Sequence, residues 1–188
     1  MPKTAGPVVC AGASHGSKTG ANMKRTIMVL TLFLVSLSYC QEAKTPAPPK
    51  YWPIQIGGML FTRMELAMDN QTRARGLMNR KELPEDGGML FLFRQEKLQS
   101  FWMKDTLIPL DIVFLDAKGT ITAIHTMKVE PRRRNESDER YGRRLRPYSS
   151  VRPAIAAIEL NAGMAESLGL RPGAKIETYR TSLVKFIK

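Results

Sequence analysis

The stretch MLFLF at residues 89–93 decides the fold of this 188-residue chain. Its side chains are apolar at every position, which is typical of a strand that is buried on both faces of a sheet. The preceding residues 83–88 contain a proline and two adjacent glycines, which predict a turn into this strand. Two further apolar runs, at residues 112–115 and 154–160, predict two more strands. The chain is therefore predicted to be built mainly from short strands.

The flanking segments predict a mainly β domain (a β-rich α+β fold) that is compact, barrel- or sandwich-like, with two short peripheral helices. Asp69 or Asn70 is placed to cap a helix that continues through Met78, with Gly76 inside it. Asn161 is placed to cap a second helix at residues 162–168. The other predicted elements are a strand at 59–68 with Leu60, Met64 and Leu66 on one face, a loosely alternating stretch at 98–104, a hairpin turn at 116–119 into a strand at 120–127, and strands at 175–179 and 183–187.

The N-terminus predicts export. Lys24 and Arg25 precede the apolar stretch 27–37, which is too short to span a bilayer but has the length of a signal-peptide core. The following LSYC, residues 37–40, resembles a lipobox, so that Cys40 is the candidate lipidation site, although a small residue usually stands at Tyr39. The alternative is ordinary signal cleavage after the small-x-small pattern at residues 36–38.

The same reading divides the chain into three parts. Residues 1–40 form a leader. Within it, residues 1–22 are interpreted as lying before the true start codon at Met23, and residues 23–40 as the signal peptide. Residues 41–53 form a flexible proline-rich linker, and residues 54–188 form one globular domain. The expected location is the periplasm or the membrane, with the membrane surface contacted through an N-terminal lipid anchor.

Composition excludes several kinds of site. The only cysteines are Cys10 and Cys40, so no intrachain disulfide, cysteine-type zinc site or thiol catalysis is expected in the mature chain. His15 lies in the predicted leader, which leaves His125 as the only histidine and excludes sites that need two. No cofactor is therefore expected, with copper as the one alternative considered below.

Residues 132–146 carry seven of the arginines behind the net charge of +12, opposed only by Glu136, Asp138 and Glu139. This segment predicts a solvated, partly disordered loop. The alternative is contact with an anionic envelope surface. Nucleic acid is not an expected partner, because the chain is predicted to be exported and only Tyr141 interrupts the basic run as a stacking residue.

The run FWMKDTLIPLD at residues 101–111 mixes an aromatic pair, opposite charges, a proline and a second carboxylate. It lies in a series of six blocks in order: GLM at 76–78, GMLF at 88–91, FWMKDT at 101–106, PLDI at 109–112, YSS at 148–150 and ELNAG at 159–163. This series resembles the domain of unknown function 192 family, prokaryotic proteins that often carry an export signal, over about residues 59–177. The resemblance implies a compact, mostly β domain and no particular reaction. Asp105 departs from it, since the family often has asparagine there, and the arginine-rich segment is longer than usual.

The leading functional hypothesis is an accessory domain that binds an unknown small ligand. The candidate ligand-binding residues are Trp102, Lys104, Asp105, Thr106, Asp111 and Glu159. Trp102 is interpreted either as a stacking platform for a sugar or other planar ligand or as a core residue. Asp105 and Asp111 are interpreted either as functional carboxylates or as caps of backbone amides beside Pro109.

Two alternatives stay open. Asp105, Asp111, Glu130 and Glu159 lie beside apolar blocks and could include the carboxylate pair of a cell-envelope hydrolase, although no residue set compels an enzymatic activity. Met103, followed by His125 and Met127, resembles the end of a periplasmic copper-chaperone motif, whose thioether and imidazole ligands suit Cu(I). The position expected for a first copper ligand holds Leu92, and methionines also serve simply to fill a core.

Overall fold

A five-stranded sheet built around the predicted buried strand forms the centre of the domain. The computed structural model describes residues 50–176 and contains, within them, nine strands and three short helices. The strands are β1 (Ile54–Ile56), β2 (Met59–Phe61), β3 (Arg63–Ala67), β4 (Gly87–Lys97), β5 (Ser100–Phe101), β6 (Leu110–Leu115), β7 (Ile121–Met127), β8 (Tyr148–Ser149) and β9 (Ala154–Asn161). The helices are α1 (Asn70–Arg75), α2 (Asp138–Arg144) and α3 (Met164–Ser167).

The strand order of the central sheet is β3-β4-β9-β6-β7. β3 pairs with β4 in parallel, and the other neighbours are antiparallel. Two small sheets, β1-β2 and β5-β8, accompany it. The predicted β-rich α+β, sandwich-like fold is confirmed. The barrel alternative is wrong, because β3 and β7 remain the two edges of the sheet and do not pair with each other.

Both faces of the central strands are buried. One face carries Leu90, Val113 and Ile158 and packs against residues of β1 and β2. The other face carries Phe91 and Phe114 and packs against side chains from the connecting segments. Because neighbouring residues of a strand point to opposite faces, a strand covered on both sides needs a continuous apolar run, which is what residues 89–93 supply.

The predicted strand at 59–68 is interrupted at Thr62. β2 ends at Phe61, and β3 begins at Arg63, whose Nε donates to the Asp86 carboxylate at 2.7 Å. Leu60 was predicted to share a face with Met64, but Leu60 is 56% exposed and Met64 is fully buried. The contact with Asp86, 23 positions further along the chain, breaks the alternation that one continuous strand would have.

Both predicted helices exist but are shorter than predicted. Asp69 caps α1 as predicted, accepting a hydrogen bond from the backbone N–H of Thr72 at 2.8 Å. The helix ends before Gly76, whose φ of +48° is a conformation that suits glycine and terminates a helix. Asn161 does not cap α3; it donates instead to the carbonyl of Leu83 at 3.0 Å.

The arginine-rich segment is ordered, contrary to its prediction as a partly disordered loop. It contains α2, capped by Ser137, and buries Tyr141 between the guanidinium groups of Arg132 and Arg144, which lie 4.7 and 5.0 Å from the ring centroid. Arg144 also donates to Glu136 at 2.7 Å and lowers the pKa of that carboxyl to about 2. The local capping signal around Ser137 was present in the sequence and was missed.

Several predictions lie outside the described residues, namely the leader, Cys40, most of the linker and the edge strand at 183–187. The predicted strand at 175–179 is described only at its start, where Lys175 forms an isolated bridge with Thr120. Between residues 50 and 176, no helix is long and apolar enough to cross a membrane.

We predict that Asp111 is a structural carboxylate. It is 1% exposed and accepts hydrogen bonds from Thr126 Oγ1 at 2.7 Å and from the Ala165 N–H of α3 at 2.9 Å. Asp111→Ala leaves the Ala165 amide buried without an acceptor, and should lower the free energy of unfolding in urea by about 3 kcal/mol. Thr126→Val removes one donor only and should cost about 1 kcal/mol. Equal small losses for the two variants would contradict this role.

Candidate functional site

A cavity of about 300 Å³ opens on the second face of the sheet, between the end of α1 and the segment that follows β5. Its floor reaches the central strands β4 and β9, and its rim is formed by α1 and by residues after β5. The lining residues are 73–78, Phe91, Phe93, 99–102, Lys104, Thr106 and Glu159. Apolar walls with a few polar groups are the usual composition of a small-molecule site.

Glu159 is the one polar side chain that the central strand β9 places against this cavity. Its partners across the sheet are Met89 on β4 and Ile112 on β6, both apolar. The residue is 5% exposed, and its carboxyl makes no hydrogen bond or ion pair with the rest of the described chain. Burial alone raises the pKa of Glu159 to about 8, so at neutral pH the group keeps its proton and is a hydrogen-bond donor.

Aromatic rings form the wall beside Glu159. The ring of Phe101 packs edge-to-face against Phe91, with centroids 4.9 Å apart, and against Phe114 at 5.5 Å. Phe93 completes the group and has the Arg73 guanidinium 5.4 Å from its centroid. The Arg73 guanidinium also donates to the carbonyl of Leu92 at 2.8 Å, so this cation is held in place by the fold.

Four of the six predicted ligand-binding residues meet at this cavity: Trp102, Lys104, Thr106 and Glu159. Trp102 is 51% exposed, so the interpretation of this residue as a core tryptophan is wrong. Lys104 lies with its Nζ 3.1 Å from an Asp138 carboxylate oxygen of α2. Thr106 is buried and donates to the carbonyl of Lys104 at 3.2 Å, which leaves its oxygen able to accept.

Asp105 is not among the lining residues, because its backbone turns there. Its φ is +49°, its N–H donates to the Tyr141 hydroxyl at 2.9 Å, and its carbonyl accepts from the Asn79 N–H at 2.8 Å. The carboxylate faces Arg132 at 3.7 Å. Asparagine and aspartate are the non-glycine residues that best tolerate this left-handed conformation, which explains why asparagine suits the position.

Asp111 is also absent from the cavity. Asp111 lies two positions before Val113 on β6, so both point to the face of the sheet that is opposite the cavity. There the Asp111 carboxylate accepts hydrogen bonds from Thr126 and from α3. The predicted grouping of Asp105 and Asp111 with Trp102 is therefore corrected. The spacing of these residues in the sequence did not reveal that the chain crosses from one face to the other.

The predicted carboxylate pair does not assemble at the cavity. Glu159 is the only carboxyl-bearing residue among those that line it. The Glu130 carboxylate accepts instead from the backbone N–H of Arg146 at 3.1 Å. A glycosidase of the usual kind needs two carboxyl groups that flank the scissile bond, and the described part of this cavity presents one.

Of the three candidate copper ligands, Met103 and Met127 lie in one core cluster, whereas His125 is partly exposed, with its ring centroid 6.1 Å from that of Phe114. Met103 and Met127 are 1% and 0% exposed, and both pack among the side chains of the second face of the sheet. His125 Nε2 lies 2.7 Å from the carbonyl oxygen of Ser149, so this nitrogen carries the proton and only Nδ1 is free to bind a metal. No group of three or more His, Cys, Asp or Glu side chains within residues 50–176 could hold a metal ion. Copper binding stays a prediction.

Sequence reasoning missed part of the cavity. Arg73 and Arg75 on α1, Phe93 on β4, and Gln99 and Ser100 near β5 all line it and were not singled out. The available signal was the GLM block at 76–78, which places a turn directly after two arginines. Nothing local in the sequence shows that this turn faces β5.

Glu159 predicts an unusual pH dependence of stability. Below the ordinary glutamate pKa of 4.5, both the folded and the unfolded chain bind its proton. Between pH 4.5 and about 8 only the folded chain keeps it, so stability falls as pH rises and levels off above the folded pKa. Glu159→Gln should therefore gain roughly 2–5 kcal/mol relative to wild type between pH 5 and pH 8, measured by urea unfolding.

Asp86 and Glu136, whose pKa values are lowered by arginine partners, also make stability depend on pH. Both are present in wild type and in Glu159→Gln, so their contribution drops out of the difference between the two proteins. The charged groups that share the cavity with Glu159 are Arg73, Arg75 and Lys104, and they are present in both proteins. Parallel stability curves for the two proteins would show that Glu159 ionises normally.

Comparison with known proteins agrees with this fold. The model of the domain of unknown function 192 family, described as "Uncharacterized ACR", matches residues 53–178, close to the predicted span of 59–177. A protein of unknown function from Novosphingobium aromaticivorans DSM 12444 is 31% identical, with 72% of this chain and 94% of that chain covered and a TM-score of 0.57.

A second solved structure, a candidate transcription regulator from Sinorhizobium meliloti 1021, is 32% identical, with 69% of this chain and 95% of that chain covered and a TM-score of 0.52. Among curated proteins, none gives a significant match. The six ordered sequence blocks, the family model and the two similar structures together show that the chain belongs to the domain of unknown function 192 family.

Proposed function

We propose that this protein is an exported, lipid-anchored envelope protein whose domain binds a small ligand in the cavity beside Trp102. The observation that carries the proposal is the buried carboxyl of Glu159, which faces the cavity and has no partner in residues 50–176. Buried polar groups in proteins are nearly always hydrogen-bonded, and the exceptions concentrate at functional sites. A ligand that accepts a hydrogen bond from Glu159 would account for this buried carboxyl without a protein partner.

The energetics favour a ligand with an oxygen acceptor at its inner end. A buried donor without an acceptor costs about 1–3 kcal/mol, and the protonated carboxyl of Glu159 carries that cost in the empty cavity. A hydroxyl or carbonyl oxygen of the ligand restores the bond. Binding is therefore driven partly by relief of a cost that the folded protein already bears.

The walls favour a hydroxylated ring such as a sugar. Trp102 exposes half of its surface at the rim, and a flat indole face packs against the apolar face of a ring at little entropic cost. Ser100 adds a hydroxyl group that can donate to or accept from a ligand hydroxyl, and the Thr106 oxygen, whose proton is donated to the Lys104 carbonyl, can accept. Aromatic surface combined with these short polar side chains suits a small polar ring better than an aliphatic ligand.

Binding is proposed ahead of hydrolysis because the lining of the cavity supplies one carboxyl group. Glu159, with a pKa of about 8, has the protonation state of a general acid, but no second carboxyl lines the cavity to act as nucleophile or base. The hydrolase alternative would require the missing carboxylate to come from outside the described cavity.

Sugar binding can be measured through Trp102 fluorescence in a Trp52→Phe background, since these are the only two tryptophans. The probes are methyl β-glucoside and methyl β-glucuronide. Glu159→Leu removes the donor and should weaken binding at least tenfold. Trp102→Ala removes the stacking surface and should do the same, measured by isothermal titration calorimetry because this variant lacks the fluorophore. Glu159→Gln keeps a donor at the same place and should restore binding to within a few-fold of wild type.

Circular dichroism and urea unfolding verify that each variant is folded, and Glu159→Leu should be at least as stable as wild type at pH 8, because it removes a buried ionisable group. The proposal fails if no probe sugar, whether neutral or anionic, binds the wild-type domain. It also fails if Glu159→Leu binds as tightly as wild type.

The proposed export and anchoring rest on the leader. Lys24 and Arg25 followed by an apolar stretch and the lipobox-like LSYC support a lipidated Cys40 at the start of the mature chain. Such an anchor would hold the domain at the membrane surface through a proline-rich linker.

Lipidation predicts a specific labelling result. In cells supplied with radiolabelled palmitate, the wild-type protein should carry label and sediment with membranes. Cys40→Ser removes the acceptor thiol and should abolish the label. Cys10→Ser serves as the matched control, because Cys10 lies in the predicted leader and should not affect labelling. Label that persists in Cys40→Ser would refute the anchor without affecting ligand binding.

A further inference from the structure

Three cationic side chains line the cavity: Arg73, Arg75 and Lys104. Arg73 is engaged by the carbonyls of Met68 and Leu92, and Lys104 is engaged by Asp138. Arg75 differs from both, because it is exposed and its guanidinium makes no hydrogen bond or ion pair with any other described residue. Within residues 50–176, Arg75 is therefore the cation of the cavity whose donors are all available.

The lining holds no opposing negative charge at neutral pH. Its only acidic side chain is Glu159, which keeps its proton there. Asp138, the partner of Lys104, is itself not a lining residue. Asp138 offsets the charge of Lys104, but Arg73 and Arg75 have no carboxylate partner among the described residues, so they disfavour cationic ligands and would attract an anionic group at the rim.

We infer that the ligand of this cavity is an anionic pyranose, which places a ring oxygen or hydroxyl at Glu159 and a carboxylate or phosphate at Arg75. The inference rests on the proposed function, since it names the class of ligand that the same cavity binds. Guanidinium groups form bidentate hydrogen bonds with carboxylate and phosphate oxygens.

The orientation follows from burial. Glu159 is 5% exposed, and bringing a charged group to that depth would require desolvation of the charge. Arg75 ends α1 in an exposed position, where an anion can keep part of its hydration while it binds the guanidinium. The neutral end of the ligand therefore lies inside and the charged end outside. Trp102 lines the same cavity and offers the ring a flat surface.

The test uses the chain without its predicted leader, in the Trp52→Phe background. It compares the affinities of three probes by Trp102 fluorescence. Methyl β-glucoside is neutral, methyl β-glucuronide carries a carboxylate, and glucose 6-phosphate carries a phosphate. Wild type should bind at least one anionic probe about tenfold more tightly than the glucoside. The two anionic arms distinguish a uronic acid from a sugar phosphate as the preferred form.

Arg75→Gln should reduce this preference to about twofold or less. The matched control is Arg171→Gln, which removes the same charge from an exposed arginine that does not line the cavity and should leave the preference intact. The preference of wild type should also decrease when salt is raised from about 0.05 to 0.5 M, because rim charges are screened.

The possible failures are distinguishable. Equal affinity of wild type for neutral and anionic probes overturns the inference and leaves the proposed function standing. A preference for anions that survives Arg75→Gln also overturns it, because the charge would then be recognised elsewhere. Absence of binding to all three probes overturns the proposed function and the inference together.

Discussion

Burial of both faces of the three central strands is the constraint on which the rest of the structure depends. β4, β9 and β6 lie side by side in the middle of the sheet. All of β6, most of β9 and the first six residues of β4 are buried. The strands also approach closely: a Cβ on Gly88 would lie 2.7 Å from the carbonyl oxygen of Glu159. Such a layer tolerates a polar side chain only where a partner reaches it or where a function compensates for its cost.

Two carboxyl groups on these strands show both outcomes. Asp111 on β6 is satisfied by Thr126 and by the first turn of α3, so it joins the sheet to the helix that covers one face. Glu159 on β9 has no such partner in the part of the chain that the structure describes, and it lies against the cavity on the other face. Their environments differ because the strand pleat sends them to opposite sides, where different elements pack. The same residue class therefore serves architecture at one position and the candidate site at the other.

The residues of the run FWMKDTLIPLD at 101–111 are likewise divided between the candidate site and the architecture. Trp102, Lys104 and Thr106 lie on either side of a turn at residues 104–105 and line the cavity. Asp105 between them turns toward the arginine-rich segment, where Tyr141 receives its backbone N–H. The helix α2 thus supports the rim of the cavity from outside, which gives a structural role to a segment that composition alone presents as a charged loop.

The sequence by itself determined the local and periodic features: the buried strand at 89–93, the Asp69 cap, the hairpin turn at 116–119, the fold class and the family. The strand, the cap and the turn depend on interactions between residues that are close in the chain, so their pattern is present in the sequence itself. Only the tertiary structure decided which residues share the cavity, that Tyr141 orders the arginines, and that Glu159 lacks a partner while Asp111 has two. These outcomes depend on contacts between residues that are distant in the chain, and the spacing of residues along the chain does not determine such contacts.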